Sequence, residues 1–417
     1  MSNVNNLEGR IDNQIELLLK NIAEEEGFKD YKIEETIGSA KGDGYVGLMT
    51  AISIVGKTEL GEEKVLHLIV KSAPKIDAVR DELCVTSMFE REIYMYDTVI
   101  PTFRKLEEEK GLEPFSSSPR CYKACTVEKS EALILENLRQ GGYSLWEKKV
   151  PMEHDHVSLV MKEFGRFQAM SLAMRDQQPE KFKSLNENLF DILLMFIEKS
   201  DFITALRKLC INGLHSLDSL KDSKAYNIFQ KIIDEDLSKF IQNLPQLVDN
   251  YSVILHGDGW TNNMMFKYED KGNPGKPTKV CFFDFQTSGL GPAALDLSYF
   301  LYGCSSKTII DNVDHYLDIY YESISTYLEK LGSNSQEIYP RSIFQEQWKK
   351  YSRYGLVNSM MLLHATLSEQ NEVTDITELA NSGKKVSDVF DYKLANAEIF
   401  NDRAKHIILH FVENGLI

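Results

Sequence analysis

SVILHGDGWTNNMMFKY, residues 252–268, opens as an apolar strand-like run, breaks at His256 into a polar loop and resumes as a second strand. The loop reads H-x-D-x₄-N, which sets Asp258 and Asn263 five residues apart. One carboxylate facing an acceptor hydroxyl and one amide oxygen on a metal are what phosphoryl transfer requires of such a loop. Downstream, KVCFFDFQ runs through apolar and aromatic residues into Asp284, between Phe283 and Phe285. A carboxylate at the end of a buried strand needs a partner, because an isolated buried charge is costly or shifts its pKa. Mg²⁺ is such a partner: it takes a few hard oxygen ligands plus substrate phosphates, and Asn263 with Asp284 offers two protein anchors. Either motif alone reads as a turn carboxylate capping a backbone amide; the two in this order favour the metal.

Upstream, Leu7, Ile11, Ile15, Leu18 and Ile22 fall at steps of three and four, which predicts an amphipathic helix over 7–26. From Tyr31 to Lys71 the period changes to strand-like alternation in YKIEETI, YVGLMTAISIV and KVLHLIVK, separated by Gly-bearing turns, which predicts an antiparallel sheet. GDGYVG, residues 42–47, matches G-x-G-x-x-G. A dinucleotide fingerprint should open a helix, whereas this one runs into a strand, so Gly42 and Gly44 belong to a hairpin that either folds over phosphates or is a plain turn. Lys71 ends its strand, and Glu92 lies on the apolar stripe of a helix with Phe89, Ile93, Tyr96 and Ile100. A strand Lys held by a helix Glu is the ion pair that positions nucleotide phosphates. Glu90 points elsewhere and reads as solvated surface. RCYKACTV and EALILENL supply further strands.

After QGGY (140–143), a connector, the pattern is helical from Asp155 to about Val248 and again beyond the strand-rich stretch 252–285. FDILLMFI, interrupted by Asp191, reads as core helix, and so do the aromatic and Met-rich stretches 315–328 and 348–364, although such faces also line apolar pockets. His154 and His156 read as capping or surface groups. With 417 residues the chain is about three times the commonest domain size, which predicts two or three cooperating units. Forty-seven basic against 63 acidic side chains, a net charge of −16, argue against a nucleic-acid footprint or an anionic membrane surface. The six cysteines form no metal or redox pattern, and the polar start lacks a signal peptide's features, so a reducing cytoplasm is the expected home.

The order glycine hairpin, strand Lys, helix Glu, connector, H-x-D-x₄-N, apolar-Asp-Phe resembles the protein-kinase-like phosphotransferases of the aminoglycoside and choline kinase group. More specifically, the chain resembles the ecdysteroid kinase-like (CHK kinase-like) family. IVKSAP around Lys71, FEREIYMYDTVIP from Phe89, LILENL from Leu133, HGDGWTNNMMF from His256 and FFDFQTSGLGPAALDLSYFL from Phe282 carry the likeness. It spans roughly residues 30–400, and its last two segments are the most specific.

The resemblance implies an α+β, bilobal protein-kinase-like fold: an N-terminal helical extension (1–30), an N-lobe of antiparallel sheet with one inserted helix (31–139) and a larger, mainly helical C-lobe (140–417). It implies that Asp258 is the catalytic base and that Asn263 and Asp284 are the Mg²⁺ ligands. Lys71 and Glu92 correspond to the nucleotide-positioning pair, Gly42 and Gly44 to the phosphate-covering hairpin, and Glu136, Asn137 and Leu138 to the hinge that meets adenine. His256 and Asp296 correspond to structural supports of the catalytic loop. ATP and Mg²⁺ are the implied cofactors, and a small hydroxylated molecule is the implied substrate, with a steroidal, ecdysteroid-like alcohol among the candidates. No nucleic acid, membrane or protein partner is expected. A kinase-shaped ligand-binding protein and a choline or ethanolamine kinase are the alternatives. Two positions depart from the family: Gln168 stands where it usually has His, and Gly259 where it often has a larger apolar residue.

Overall fold

In the computed structural model, which describes residues 11–37, 47–189, 192–269, 276–372 and 385–417, the alternating segments of the first third pair into one five-stranded sheet. Its strands are β1 (Phe28–Ile37), β2 (Leu48–Thr58), β3 (Glu63–Ser72), β4 (Cys121–Cys125) and β5 (Ala132–Glu136), ordered β1-β2-β3-β5-β4 with every pairing antiparallel. β5 is buried on both faces. Ala132 and Ile134 meet the helix Asn13–Glu25, while Leu133 and Leu135 join the main core with Phe89. Asp12 caps that first helix, its Oδ1 accepting from the backbone N–H groups of Gln14 and Ile15 at 3.1 Å. The helix seats Ile15, Leu19, Ile22 and Ala23 on Ile52, Ile54, Leu68 and Val70. Ile15 and Ile22 keep the expected stripe, while Leu19 is fully buried where the spacing predicts Leu18, and Leu18 is only partly so.

The inserted helical segment is broken rather than continuous. A short helix, Asp77–Glu82, closes at Leu83, and Cys84, with φ 51°, turns the chain into the helix Val85–Tyr94. A π turn, Met95–Val99, then carries the path into Ile100–Glu109. Glu92 faces the sheet and is fully buried; Glu90, two residues earlier, is exposed.

The remaining two thirds are mainly helical. The helix His154–Gln177 lies against Val313–Leu331, and Ala294–Cys304 lies against Arg353–Leu367. All eleven residues of Ala294–Cys304 are buried, so it is an inflexible support. Two small sheets sit between helices and N-lobe: β6 (Tyr143–Leu145), β8 (Met264–Tyr268) and β9 (Pro277–Phe282) in the order β6-β8-β9, and the antiparallel pair β7 (Val253–Leu255) with β10 (Gly289–Gly291). β8 and β9 bracket the loops that carry Asn263 and Asp284 and hold their spacing fixed.

Two local expectations change. The described part of the apolar segment, Ile192–Lys199, is core only in part: Ile197 joins the main core and Ile192 is buried, while Leu193 and Phe196 pack against that core and also line a cavity. His156 is not a surface group either. It is 1% exposed, lies 4.2 Å from the Trp146 ring, and its Nε2 shares a 2.9 Å hydrogen bond with the Tyr268 hydroxyl.

Candidate active site

The Lys71 ammonium, one residue before the end of β3, donates to Glu92 Oε2 at 2.6 Å and to Asp284 Oδ1 at 2.8 Å. Burial works against its charge, but Asp284 and Glu92 outweigh burial and hold Lys71 above its ordinary pKa. Burial raises the Glu92 carboxyl, with Lys71 pulling the other way. One cation thus links the sheet, the helix Val85–Tyr94 and the loop after β9. Gly47 lies over this lysine: a Cβ there would meet the Lys71 side chain at 3.1 Å. Gly42 and Gly44 lie outside the described residues.

Asp284 adopts φ 66°, a left-handed conformation that Asp tolerates better than most residues. The Phe285 ring holds the turn from the next position, edge-on to Tyr96 at 5.5 Å and 4.7 Å from the His256 ring. Asn263 is tied to the same turn, because its carbonyl accepts the Phe283 N–H at 3.1 Å. Its side-chain Nδ2 donates to the Asp258 carbonyl at 3.0 Å and to Asp258 Oδ2 at 2.8 Å. That leaves the amide oxygen of Asn263 as the end that could meet a cation.

Asp258 also accepts from the Tyr299 hydroxyl, at Oδ1 and 2.6 Å. Burial pushes the Asp258 carboxyl up to about 6, against the donation from Tyr299. A carboxylate raised in this way is a better proton acceptor than an ordinary aspartate.

Asp296 braces the loop from beneath. Oδ2 accepts the His256 N–H at 2.8 Å and Oδ1 accepts the Gly257 N–H at 2.9 Å. The Gln168 Nε2 donates to Oδ2 at 2.9 Å, and Gln168 Oε1 in turn accepts from the Tyr320 hydroxyl at 2.7 Å. Burial lifts Asp296 to about 6 despite these donors. Hydrogen bonds to a charged acceptor contribute about 1.5–3 kcal/mol each. Gln168 is thus part of the brace, and its departure from the family pattern keeps a donor there. Burial pulls His256 down to about 4, so its ring is neutral: Nε2–H donates to the Phe283 carbonyl at 3.1 Å while Nδ1 accepts the Asp258 N–H at 3.3 Å.

Two glycines let this loop pack. Gly257 has φ +87°, and a Cβ there would strike the Thr287 carbonyl at 2.3 Å. At Gly259 a Cβ would meet Phe164 Cζ at 2.8 Å. Phe164, stacked on Phe282 at 4.9 Å, fills the space a larger residue would take. Gly259→Val should therefore lower stability by about 1–3 kcal/mol, read from denaturant midpoints, and Phe164→Leu should restore part of it. Additive losses would show that the two positions do not share that space.

Glu136, Asn137 and Leu138 leave β5 at the cleft. The Asn137 N–H donates to the His67 carbonyl at 3.2 Å, and Leu138 packs on Met265 and Cys281, which face each other across β8 and β9. Phe283 joins this small apolar platform from just before Asp284. Gly47 belongs to the glycine hairpin read from the sequence, whereas Tyr299, Met265 and Cys281 went unread as site residues; the alternation of KVCFF could have placed Cys281 on the cleft side.

Beyond Asp258 the loop opens on a cavity of about 600 Å³. Its walls are chiefly apolar: Leu83 and Met88, then Leu189, Leu193 and Phe196, then Tyr354, Met361 and Phe390. The helix Arg353–Leu367 is mostly buried, as a core helix should be, and yet turns one face to this cavity. Asp258, Asn263 and Asp284 form the polar end.

The donor set suits a hard divalent cation. Asn263 and Asp284 offer oxygens, and Lys71 is a single positive charge against Glu92, Asp258 and Asp284. Among the described residues no cluster of three or more His, Cys, Asp or Glu side chains could hold a metal. Also among the described residues, no helix is long and apolar enough to cross a membrane.

The ecdysteroid kinase-like family matches residues 41–333. A 4-hydroxytryptamine kinase from Psilocybe cubensis is 24% identical over 223 residues, which are 52% of this chain and 54% of that protein, so the match spans about half of that relative. Among solved structures, two crystal forms of a glucosamine kinase cover 95% of this chain and 82% and 80% of theirs, at 10% and 11% identity and TM-scores of 0.32 and 0.31.

Proposed function

The chain belongs to the ecdysteroid kinase-like family, and from that premise we propose that it transfers the γ-phosphoryl group of ATP to a hydroxyl of a largely apolar small molecule. The observation that carries this reading is the junction of the apolar cavity with Asp258. An alcohol lying in the cavity reaches a carboxylate that can take its proton, while a nucleotide in the cleft places its phosphates at Lys71.

In the transfer, the acceptor oxygen forms a bond to the γ-phosphorus as the bond from that phosphorus to the β–γ bridging oxygen breaks, and the acceptor proton passes to Asp258. Lys71 offsets phosphate charge, and Glu92 and Asp284 hold its ammonium in place. Mg²⁺, held by Asn263 and Asp284, would supply further neutralisation of the phosphate oxygens. Glu136 to Leu138 would meet the adenine over the platform of Met265 and Cys281. Gly42 and Gly44 would cover the phosphates.

A cavity of about 600 Å³ lies in the range that encloses a drug-sized ligand. A steroid alcohol of the ecdysteroid type fits its mainly apolar wall, and so does an aromatic alcohol such as a hydroxylated indole. All six cysteines are free thiols, which suits a cytoplasmic location.

The test is transfer of labelled γ-phosphate from Mg·ATP to a panel of hydroxylated apolar molecules, with sugars as controls. Labelling of apolar alcohols supports the reading; labelling of sugars alone overturns the acceptor class. A melting temperature unmoved by Mg·ATP, together with no labelled product, overturns the kinase reading. Leu193→Glu on the cavity wall should raise the acceptor KM roughly ten- to a hundredfold, the equivalent of about 1.5–3 kcal/mol of apolar burial, and leave ATP binding alone. An unchanged acceptor KM would remove this wall from the acceptor site.

A further inference from the structure

We propose that Tyr299 is a positioning residue for the transfer: its hydroxyl fixes the rotation of the Asp258 carboxylate at the point where the cavity meets the catalytic loop. The proposal rests on the reading of Asp258 as the base, and it goes beyond that reading by assigning what aims the base.

The geometry is a two-point clamp. Tyr299 donates to Oδ1 at 2.6 Å and Asn263 Nδ2 donates to Oδ2 at 2.8 Å, so the carboxylate cannot turn about its Cβ–Cγ bond without losing one of them. An ionised carboxylate has about four lone-pair sites; Tyr299, Asn263 and the Trp260 side chain take three of them, which leaves one for the acceptor hydroxyl.

Tyr299 is itself immobile. It is 5% exposed, and its ring stacks on Tyr354 at 6.0 Å with 29° between planes. Burial, with the Asp258 charge, keeps the phenol well above its ordinary pKa, so it remains a donor. It lies three residues after Asp296 on the fully buried helix Ala294–Cys304, and positions three apart share a face. Asp296 holds the loop main chain through the His256 and Gly257 N–H groups, while Tyr299 holds the side chain of the base. One rigid helix therefore sets both the height of the loop and the aim of its carboxylate. Tyr299 and Tyr354 also line the cavity, so the residue that aims the base lies beside the space the acceptor occupies.

Tyr299→Phe removes the hydroxyl and keeps the ring and its stack. In phosphate transfer, or in slow Mg·ATP hydrolysis with water as acceptor, kcat should fall roughly ten- to a hundredfold, the scale set by loss of near-attack alignment, with the KM for ATP unchanged. An unchanged kcat overturns the proposal. A fall in kcat matched by an equal loss of ATP affinity overturns it too, because it indicates damage to the whole site. A second readout does not depend on turnover. In thermal melts of Tyr299→Phe, Asp258→Ala and the double variant, loss of the hydroxyl should lower the melting temperature in the wild-type background and have little effect in the Asp258→Ala background. Additive effects would show that the two side chains do not act together. A wild-type protein with neither transfer nor hydrolysis sinks the kinase reading and the catalytic role together, and the melting cycle then judges the contact alone.

Discussion

Asp258→Ala should lower turnover by roughly 10²- to 10⁴-fold, the range over which a positioned general base contributes, while nucleotide affinity stays at the wild-type value. The two effects separate because the structure separates the groups. Lys71, Glu92 and Asp284 form one ion cluster, and Asp258 belongs to another set with Tyr299 and Asn263. Alanine removes the proton acceptor and leaves the ammonium that meets phosphate. It also frees the Tyr299 hydroxyl, which sits beside a cavity where water can replace the lost carboxylate, while the Asn263 amide keeps the main-chain carbonyl of residue 258. The fold should therefore survive. Single-turnover transfer separates chemistry from release, and titration with a non-hydrolysable nucleotide reports affinity. Turnover equal to wild type would remove Asp258 from the base role, and a parallel collapse of nucleotide binding would mean that the two groups of residues are one.

How much of this could be read beforehand follows from sequence distance. Asp258 and Asn263 lie five residues apart in one loop, and a local loop fixes its own geometry, so spacing alone brought them together. Lys71 and Glu92 are 21 residues apart, and Lys71 and Asp284 are 213 apart. Those pairings were legible only from the order of motifs and the periodicity of strand and helix. Tyr299 to Asp258, 41 residues apart, and Gln168 to Asp296, 128 apart, carried no such signal, because side-chain direction across helix packing is not written in a hydrophobic period.

The same distinction runs through the fold. β1, β2 and β3, each ten or eleven residues long, have enough alternation to be seen. β6 and β10, three residues each, do not, and their pairing is decided by the strands they meet. The segment around Leu193 is core on one side and cavity wall on the other, because apolarity reports burial from water without saying whether protein or ligand provides it. Its residues border a cavity, where exposed apolar surface is what a ligand site requires.

Asp284→Asn should abolish the Mg²⁺-dependent part of nucleotide binding. Asn is the apt replacement because it keeps the volume and tolerates the left-handed backbone, φ 66°, at this position. What it loses is charge. With Asp284 neutral, Lys71 stands against Glu92 alone inside the site, and a divalent ion keeps only the neutral amide of Asn263 as an assigned protein anchor. Charge stabilisation by such an ion is of the order of several kcal/mol, which corresponds to roughly 10²- to 10³-fold in affinity. Calorimetric titration of ADP with and without Mg²⁺ gives the measurement. In the wild type Mg²⁺ should tighten binding; in the variant the two titrations should coincide. The metal-free affinity should not fall, because a phosphate group would compete with one carboxylate fewer for the Lys71 ammonium. If Mg²⁺ still tightens ADP binding to the variant, Asp284 holds the lysine rather than the metal. The strain at φ 66° would then serve only to turn its carboxylate back toward β3.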